Sequence, residues 1–362
     1  MTIKHIEEYR DPEIARALIR NIENSGRKEI RLMEVCGTHT MSIFRSGIRS
    51  ILPDRISLVS GPGCPVCVTA QNEIDAFIAL AGEKDVIITT FGDLIRVPGT
   101  VSSLGHERAV GKDIRMVYST FDALDIARKN PDKRVVFLGV GFETTAPTIA
   151  ASIVMARESG VDNYSVFSAH KLVPPALSAL MGLEVRIHGF ILPGHVSVVI
   201  GAGAYEDFFR QNPIPCVIAG FEPVDILNAV SLLAGQIESK EPELTNAYPR
   251  GVSREGNPKA MSLCREVFET VDANWRGIGV IPKSGFKIRD DFSGFDAEKI
   301  FRLPAIESKE PKGCACGEIL IGAKIPPECP LYKKTCSPMR PVGPCMVSTE
   351  GTCAAYYKYH GK

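Results

Sequence analysis

The sequence lacks an excess of charge of either sign, and it lacks internal repeats and low-complexity segments. Lysine and arginine number 42, and aspartate and glutamate also number 42, so the formal net charge is zero. Nucleic-acid-binding domains usually carry a basic excess, so we expect no nucleic-acid partner. Hydrophobic residues make up 44% of the chain and charged residues 23%, which is typical of a folded globular protein and excludes bulk disorder.

A long apolar run is also missing. The chain opens with MTIKHIEEYRD, which contains no hydrophobic stretch and predicts no secretory signal. The longest central stretch without acidic or basic residues covers positions 187–205, but Pro193, Gly194 and His195 interrupt it. We therefore expect no membrane span and a cytoplasmic protein.

Phosphate-binding signatures are missing too. No Walker A motif occurs, and the glycine-rich segment 139–144 does not complete the G-x-G-x-x-G pattern. These segments therefore do not support a nucleotide site, and a zinc-stabilised nucleotide-binding module is the last-ranked alternative for lack of a phosphate loop.

What is present is an alternation of strand-like and helix-like segments over the first two-thirds of the chain. Continuous apolar runs such as VVFLGV and CVIAG are typical of strands buried on both faces of a parallel sheet. The predicted strands cover 29–35, 56–60, 85–90, 114–118, 134–140, 164–169, 186–192 and 215–219. The predicted helices between them include 69–81, 120–129, 144–159 and 224–239.

This alternation predicts an α/β fold with two similar doubly wound lobes and a central cleft. We expect the first lobe within 1–140, the second within 141–240, and a linker with a small irregular domain in 241–362. The break between the lobes is expected near 139–147, and the linker at 238–256. The segment 311–362 is rich in Pro, Gly and Cys, so a metal centre is the natural means of holding it together.

Chemically active residues follow the predicted strands. In open α/β sheets, ligands bind at the carboxyl ends of the strands. The residues found at these ends are Cys36, His39, Cys64, Cys67, Asp93, Glu143, His170, His195 and Glu222. Glu143, His170, His195 and Glu222 are candidates for proton carriers or hydrogen-bond donors, although a purely structural role suits each of them equally.

Cys64 and Cys67 form a CxxC motif between a strand and a helix. The helix N-terminus stabilises a thiolate there, so the pair is predicted to form a reversible disulfide or to hold a metal. Cys36 stands three positions before His39 in a predicted turn. That pair is predicted either to bind a transition metal such as iron or to act as a nucleophile and its base.

Six further cysteines crowd the last fifty residues with the spacing C-x-C-x12-C-x6-C-x8-C-x7-C. This irregular spacing lacks the paired knuckles of zinc ribbons and favours a [4Fe–4S] cluster. The predicted ligands are Cys316, Cys329, Cys336 and Cys353, with Cys345 and Cys314 as substitutes. Two thiols are then spare, or form a disulfide that exchanges electrons with the cluster.

Together these segments resemble the HypD family of hydrogenase-maturation proteins over nearly the whole chain. The resemblance rests on the segments that begin at Cys36 (CGTHT), Gly61 (GPGCPVC), Thr90 (TFGD), Gly139 (GVGFETT) and Leu192 (LPGH), and on the Cys-rich tail.

The resemblance implies a scaffold on which the Fe(CN)2CO group of [NiFe]-hydrogenase is assembled. It implies that Cys36 binds iron jointly with a cysteine of a small HypC-type chaperone, with His39 beside it. Cyanide would come from HypF- and HypE-type proteins. Cys64 and Cys67 would be a redox-active pair near the iron, and the tail would hold the [4Fe–4S] cluster. A monomer that forms transient complexes is expected.

The competing interpretation is an iron–sulfur-dependent thiol–disulfide oxidoreductase that uses the Cys64–Cys67 pair. It accounts for the CxxC motif and the tail but not for Cys36 and the other loop segments. Replacement of Cys36 separates the two, because a reductase should survive it and a scaffold should not. Whether the protein is an enzyme in the ordinary sense stays open at this point.

Overall fold

A computed structural model describes residues 7–303 and 307–360 of the chain. The strands are β1 Ile30–Glu34, β2 Ile56–Ser60, β3 Val86–Thr90, β4 Ile114–Met116, β5 Arg134–Gly139, β6 Tyr164–Ser168, β7 Gly189–Pro193, β8 Cys216–Ala219, β9 Leu244–Asn246, β10 Phe268–Trp275 and β11 Gly279–Ile288.

The α-helices are α1 Pro12–Asn24, α2 Gly37–Arg45, α3 Ile48–Ile51, α4 Pro65–Val68, α5 Gln71–Gly82, α6 Leu104–Ala109, α7 Thr120–Lys129, α8 Ala146–Glu158, α9 Val173–Met181, α10 Gly194–Ile200, α11 Glu206–Gln211, α12 Pro223–Ser239, α13 Pro258–Val267, α14 Ala297–Ile300, α15 Cys316–Leu320, α16 Pro344–Val347 and α17 Thr352–Tyr359. Short 3-10 helices cover Glu7–Arg10, Gly92–Arg96, Ala202–Tyr205, Asp290–Phe295 and Pro326–Glu328. No helix in these two ranges has the length and apolar character needed to cross a bilayer.

The first lobe is built on a five-stranded parallel sheet in the order β2-β1-β7-β8-β9. Successive residues of a strand point to opposite faces, and both faces of this sheet are covered. Met33 and Leu192 join the core on one face, whereas Leu32 and Ile191 join the core on the other. The apolar runs of the sequence are therefore explained by burial on both sides.

The second lobe has a four-stranded parallel sheet in the order β4-β3-β5-β6. Its strands alternate in the same way: Ile87 and Phe137 face one core, and Ile88 and Leu138 face the other. The prediction of two similar α/β lobes is confirmed.

The sheets do not divide the chain where the sequence placed the break between the lobes. Strands β5 and β6 lie on either side of 139–147 and pair with each other in the second sheet. The chain leaves the first lobe after β2, builds β3 to β6, and returns to the first sheet at β7. The ranges 1–140 and 141–240 therefore do not match the two sheets, because hydrophobic pattern locates strands but not their partners.

All eight predicted strands are present, and three further strands were missed. Strand β9 lies inside the expected linker at 238–256 and pairs with β8. Strands β10 and β11 form an antiparallel hairpin with a register shift between Val271 and Ala273. The burial of β11 does not alternate regularly, and Pro282 lies inside that strand, so the pattern that identifies a strand is weak there.

The tail does not form a core separate from the lobes. Its cysteines share a hydrophobic cluster with Val35 and Leu192 of the first sheet and with Trp275 of the hairpin. Helices α15 and α16 contact α4, and α17 contacts α2. The small irregular domain is thus fastened to the first lobe by apolar packing.

Lys171 is expected to contribute strongly to stability. Its side chain is 1% exposed, and its Nζ lies 2.6 Å from Oε1 of Glu73. Removing one partner of a buried pair typically costs about 3–5 kcal/mol, because the other charge stays buried. We expect Lys171→Met to lower the free energy of unfolding by about that amount, as measured by urea titration followed by circular dichroism.

Arg254→Met is the matched control. Arg254 pairs with Glu206 at 3.0 Å, but the two side chains are 72% and 41% exposed. An exposed pair contributes at most about 1 kcal/mol. Equal losses in the two variants would contradict the role assigned to Lys171.

Candidate functional site

The candidate site lies at the carboxyl edge of the first sheet, where the strand order reverses. Strands β1 and β7 are neighbours, but the chain connects β1 to β2 on one side and β7 to β8 on the other. Such a switch point leaves a crevice at the strand ends. Helix α2 begins there directly after Cys36, and α10 begins there with Gly194 and His195.

Cys36 is buried at the start of α2. Its backbone N–H donates to Oε2 of Glu34 at 3.1 Å, and the Thr40 hydroxyl donates to the other oxygen of the same carboxylate. Burial raises the pKa of the Cys36 thiol to about 12, against the opposing effect of the His39 backbone amide. Burial likewise raises the pKa of Glu34 to about 7. The thiol therefore keeps its proton at neutral pH until something displaces it.

Cys64 and Cys67 are joined by a disulfide, with Cα atoms 5.2 Å apart. Cys64 precedes the short helix α4, Pro65 begins that helix, and the Cys67 amide donates to Cys64 Sγ at 3.2 Å. Both residues are buried. The sequence-based expectation that the CxxC motif links a strand to a helix is confirmed.

The loops that follow β1 and β2 touch each other. The amide of Gly37 donates to the carbonyl of Gly63 at 2.8 Å, and the amide of Gly61 donates to the carbonyl of Glu34 at 2.7 Å. A Cβ on Gly63 would lie 2.2 Å from the Cys36 nitrogen, so only glycine fits. Cys36 and the Cys64–Cys67 pair are thus brought together by backbone contacts.

His39 is fully buried and has one hydrogen-bonded ring nitrogen. Its Nε2 lies 2.8 Å from the carbonyl oxygen of Gly220, and because a carbonyl only accepts, Nε2 is the protonated nitrogen. Its Nδ1 is buried and has no hydrogen-bond partner among the residues that the structure describes. Burial lowers the pKa of His39 to about 4, so the ring is neutral and offers a free lone pair at Nδ1.

An aromatic stack connects His39 of α2 to His195 of α10. Phe221 lies between the two histidines, with ring centroids 4.6 Å from His39 and 3.8 Å from His195. This stack joins α2, the start of α10 and the loop after β8. It explains why histidines follow two of the strands that meet here.

The tail also reaches the start of α2. The Thr38 hydroxyl donates to Oε1 of Glu350 at 2.7 Å. A Cβ on Gly37 would lie 2.5 Å from Cβ of Glu350, so the two segments are in direct contact. The negative charge of Glu350 adds to the rise in the pKa of the Cys36 thiol, which burial chiefly causes.

The six tail cysteines lie together beside the CxxC helix. Cys314 is partly exposed and the other five are buried. Cys316 Sγ and Cys345 Sγ are 2.7 Å apart, and the helices carrying these two residues, α15 and α16, both contact α4. Burial raises the pKa of Cys353, and neighbouring sulfurs add to that rise.

In residues 7–303 and 307–360, no three His, Cys, Asp or Glu side chains stand in a ready metal-binding arrangement. The donor set nevertheless fits an iron–sulfur centre, because clustered thiols in an apolar pocket are the ligands such centres use. Cys316 contacts both Cys345 and Cys314, so three of the six thiols meet at one point.

Three other predicted residues have hydrogen-bond or ion-pair partners of their own. His170 lies in the second lobe, with Nδ1 3.0 Å from the Ser168 hydroxyl. Glu143 accepts from the amide of Val173 at 2.9 Å at the start of α9, and burial raises the pKa of Glu143 to about 7. Glu222 forms an exposed ion pair with Arg10 at 2.7 Å.

Sequence reasoning missed two acids at the site. Glu34 could have been found, because it is the single acid in the otherwise apolar run LMEV. Glu350 carries no such signal, since it lies in an ordinary polar turn of the tail. Both side chains border the Cys36 segment.

Comparison with known proteins gives one consistent result. The profile of the HypD family, described as "Hydrogenase formation hypA family", matches residues 13–360. The HypD hydrogenase maturation factor of Azotobacter vinelandii is 45% identical, over 99% of this chain and 97% of the relative. Its namesake in Cupriavidus necator is 44% identical over the same shares. The HypD of Rhodobacter capsulatus is 42% identical over 99% of both chains. The chain belongs to the HypD family of hydrogenase maturation factors.

Proposed function

We propose that this protein is a scaffold that holds iron through Cys36 while the Fe(CN)2CO group of [NiFe]-hydrogenase is assembled. The proposal rests on one observation, which is that three groups of cysteines lie close together. The Cys36 loop, the Cys64–Cys67 disulfide and the tail thiols meet in one buried region at the carboxyl edge of the first sheet. Soft thiolate donors suit low-spin iron with strong-field carbon ligands.

Cys36 is the proposed iron ligand supplied by this chain. Because burial raises the pKa of its thiol to about 12, iron must displace the proton, which makes binding by Cys36 alone weak. A second thiolate from a small HypC-type chaperone would complete the site. The free Nδ1 lone pair of His39 is available beside it as a ligand or a proton acceptor.

The Cys64–Cys67 disulfide is the proposed electron acceptor near the iron. Its reduction takes two electrons and two protons, breaks the Sγ–Sγ bond and gives two thiols. The contact of α4 with α15 and α16 supports delivery of these electrons from the tail. A dithiol formed by the two tail thiols that the cluster does not use would reduce it by exchange and become a disulfide itself.

The tail is proposed to hold a [4Fe–4S] cluster, which when bound supplies electrons one at a time. Sequence spacing predicts Cys316, Cys329, Cys336 and Cys353 as its ligands. Cys345 and Cys314 are the possible substitutes, and Cys316 contacts both of them. The remaining pair would then be free for dithiol exchange.

The proposed partners are a HypC-type chaperone and a HypE-type cyanide donor, which is itself supplied by a HypF-type protein. One cavity near Cys36 is accessible for docking. It measures about 770 Å³, lies beside α2 and is lined by Thr38, Met41 and Arg45. A second cavity, of about 630 Å³, opens away from Cys36, between the hairpin and the second lobe. The groove beside α2 is the nearer approach for a protein that must reach Cys36.

Replacement of Cys36 tests the scaffold directly. We expect Cys36→Ala, produced with HypC-, HypE- and HypF-type partners and purified without oxygen, to lose the cyanide and carbonyl infrared bands completely. The reason is that the alanine side chain offers no ligand to the iron. Infrared spectroscopy of the purified complex is the measurement.

Cys264→Ala is the control, because Cys264 is equally buried but lies in the core of the second lobe. It should keep the bands. Bands that persist in Cys36→Ala would contradict the scaffold. If the wild-type protein carried iron and sulfide but no such bands, and exchanged disulfides with or without Cys36, the oxidoreductase interpretation would replace it.

The cluster ligands can be separated by single serine substitutions. We expect Cys316→Ser to lose most of the iron and acid-labile sulfide, and Cys314→Ser to retain both, because only the first removes a proposed ligand. Iron and sulfide analysis of anaerobically purified protein measures this. The opposite pattern would put Cys314 in place of Cys316 in the ligand set.

A further inference from the structure

Arg276 is a buried cation that the proposed function does not use. It follows Trp275 at the end of β10, in the turn that leads into β11, and it is 3% exposed. A buried arginine stays charged, so its charge must be matched by neighbours. Its partners are therefore informative.

On one side, Arg276 is fastened to the end of the CxxC helix. Its backbone N–H donates to the carbonyl of Val68 at 2.9 Å, and its Nε donates to the carbonyl of Thr69 at 3.1 Å. Its guanidinium also donates to Oε1 of Gln71 at 3.1 Å. These partners are neutral, so they position the cation without cancelling its charge.

A single acid pairs with Arg276 among the described residues. Glu310 accepts from its Nη1, but the Glu310 side chain is 56% exposed while that of Arg276 is 1% exposed. Water screens an exposed carboxylate more than a buried guanidinium. Positive charge therefore remains inside the protein at this point.

On the other side, the same turn presses against the cysteine-rich tail. A Cβ on Gly277 would lie 2.5 Å from Cα of Gly317, the residue after Cys316. Trp275, the residue before Arg276, shares a buried cluster with Cys316 and Cys345. The buried cation therefore lies where the hairpin turn meets the tail thiols.

We propose that Arg276 is the internal counter-charge of the sulfur centre in the tail, a positioning residue that sets how readily the centre accepts an electron. The inference rests on the proposed function in one respect, namely that the tail binds an iron–sulfur cluster. Each electron taken up adds negative charge to a buried group of thiolates. A fixed cation stabilises the reduced state more than the oxidised state and so raises the reduction potential.

The test uses the full chain with its cluster, purified without oxygen, in a redox titration followed by electron paramagnetic resonance. We expect Arg276→Gln to reduce the equilibrium constant for one-electron uptake about tenfold, which is a potential about 59 mV more negative. Arg276→Lys should keep most of the wild-type potential, because it keeps the charge. Arg289→Gln is the matched control, since exposed Arg289 follows β11 at the other end of the hairpin.

Glu310→Gln provides a second variant in case Arg276→Gln does not fold. Removal of this carboxylate leaves Arg276 less neutralised, so the potential should become less negative. Unchanged potentials in Arg276→Gln and Glu310→Gln, with intact clusters, would overturn the counter-charge. A wild-type chain without iron and sulfide would instead contradict the proposed cluster itself, so the two failures are distinguishable.

Discussion

The contact between Gly63 and the backbone of Cys36 is the constraint on which the site depends. No side chain fits at position 63, and the carbonyl of this glycine accepts from the amide of Gly37. Two loops that follow neighbouring strands are thereby held as one backbone unit. The distance between a proposed iron-binding thiol and a disulfide is fixed by the main chain rather than by flexible side chains. Chemistry that requires both groups at once gains from this rigidity.

Burial governs the state of the reactive groups. Both Cys36 and its neighbour Glu34 have a raised pKa, and His39 has a lowered one, so each favours its neutral form. A neutral thiol is a poor nucleophile and is oxidised slowly. The same low-dielectric surroundings strengthen any charge that is introduced. These groups are therefore unreactive in their neutral forms, and a metal ion or an electron introduced among them would interact with them strongly.

The sequence predicted the features that depend on local pattern, such as strands and the residues at their ends. It missed the features that depend on contacts between residues distant in sequence. Continuous apolar runs identified the eight buried strands, and residues at their ends identified Cys36 and the CxxC motif. The return of the chain to the first sheet at β7 has no local signal, so the break was misplaced. Thr38 donates a hydrogen bond to Glu350, 312 residues further along the chain, and the sequence around either residue does not predict this contact. The hairpin was missed because the burial of β11 does not alternate regularly and Pro282 lies inside that strand.

The insertion of the second lobe into the first has a consequence for synthesis. Strand β1 must pair with β7, and the amide of Arg31 donates to the ring of His188, 157 residues further along. Contacts at such separation form slowly. During translation the β7 side of β1 stays unpaired until β7 is made, and such an unpaired edge can associate with other chains. The sheet of the second lobe is formed by one continuous stretch, β3 to β6, so its strands can pair before β7 is made. The core of that lobe is completed only when α13 and the hairpin follow, so each lobe depends on residues that are made after the other has begun.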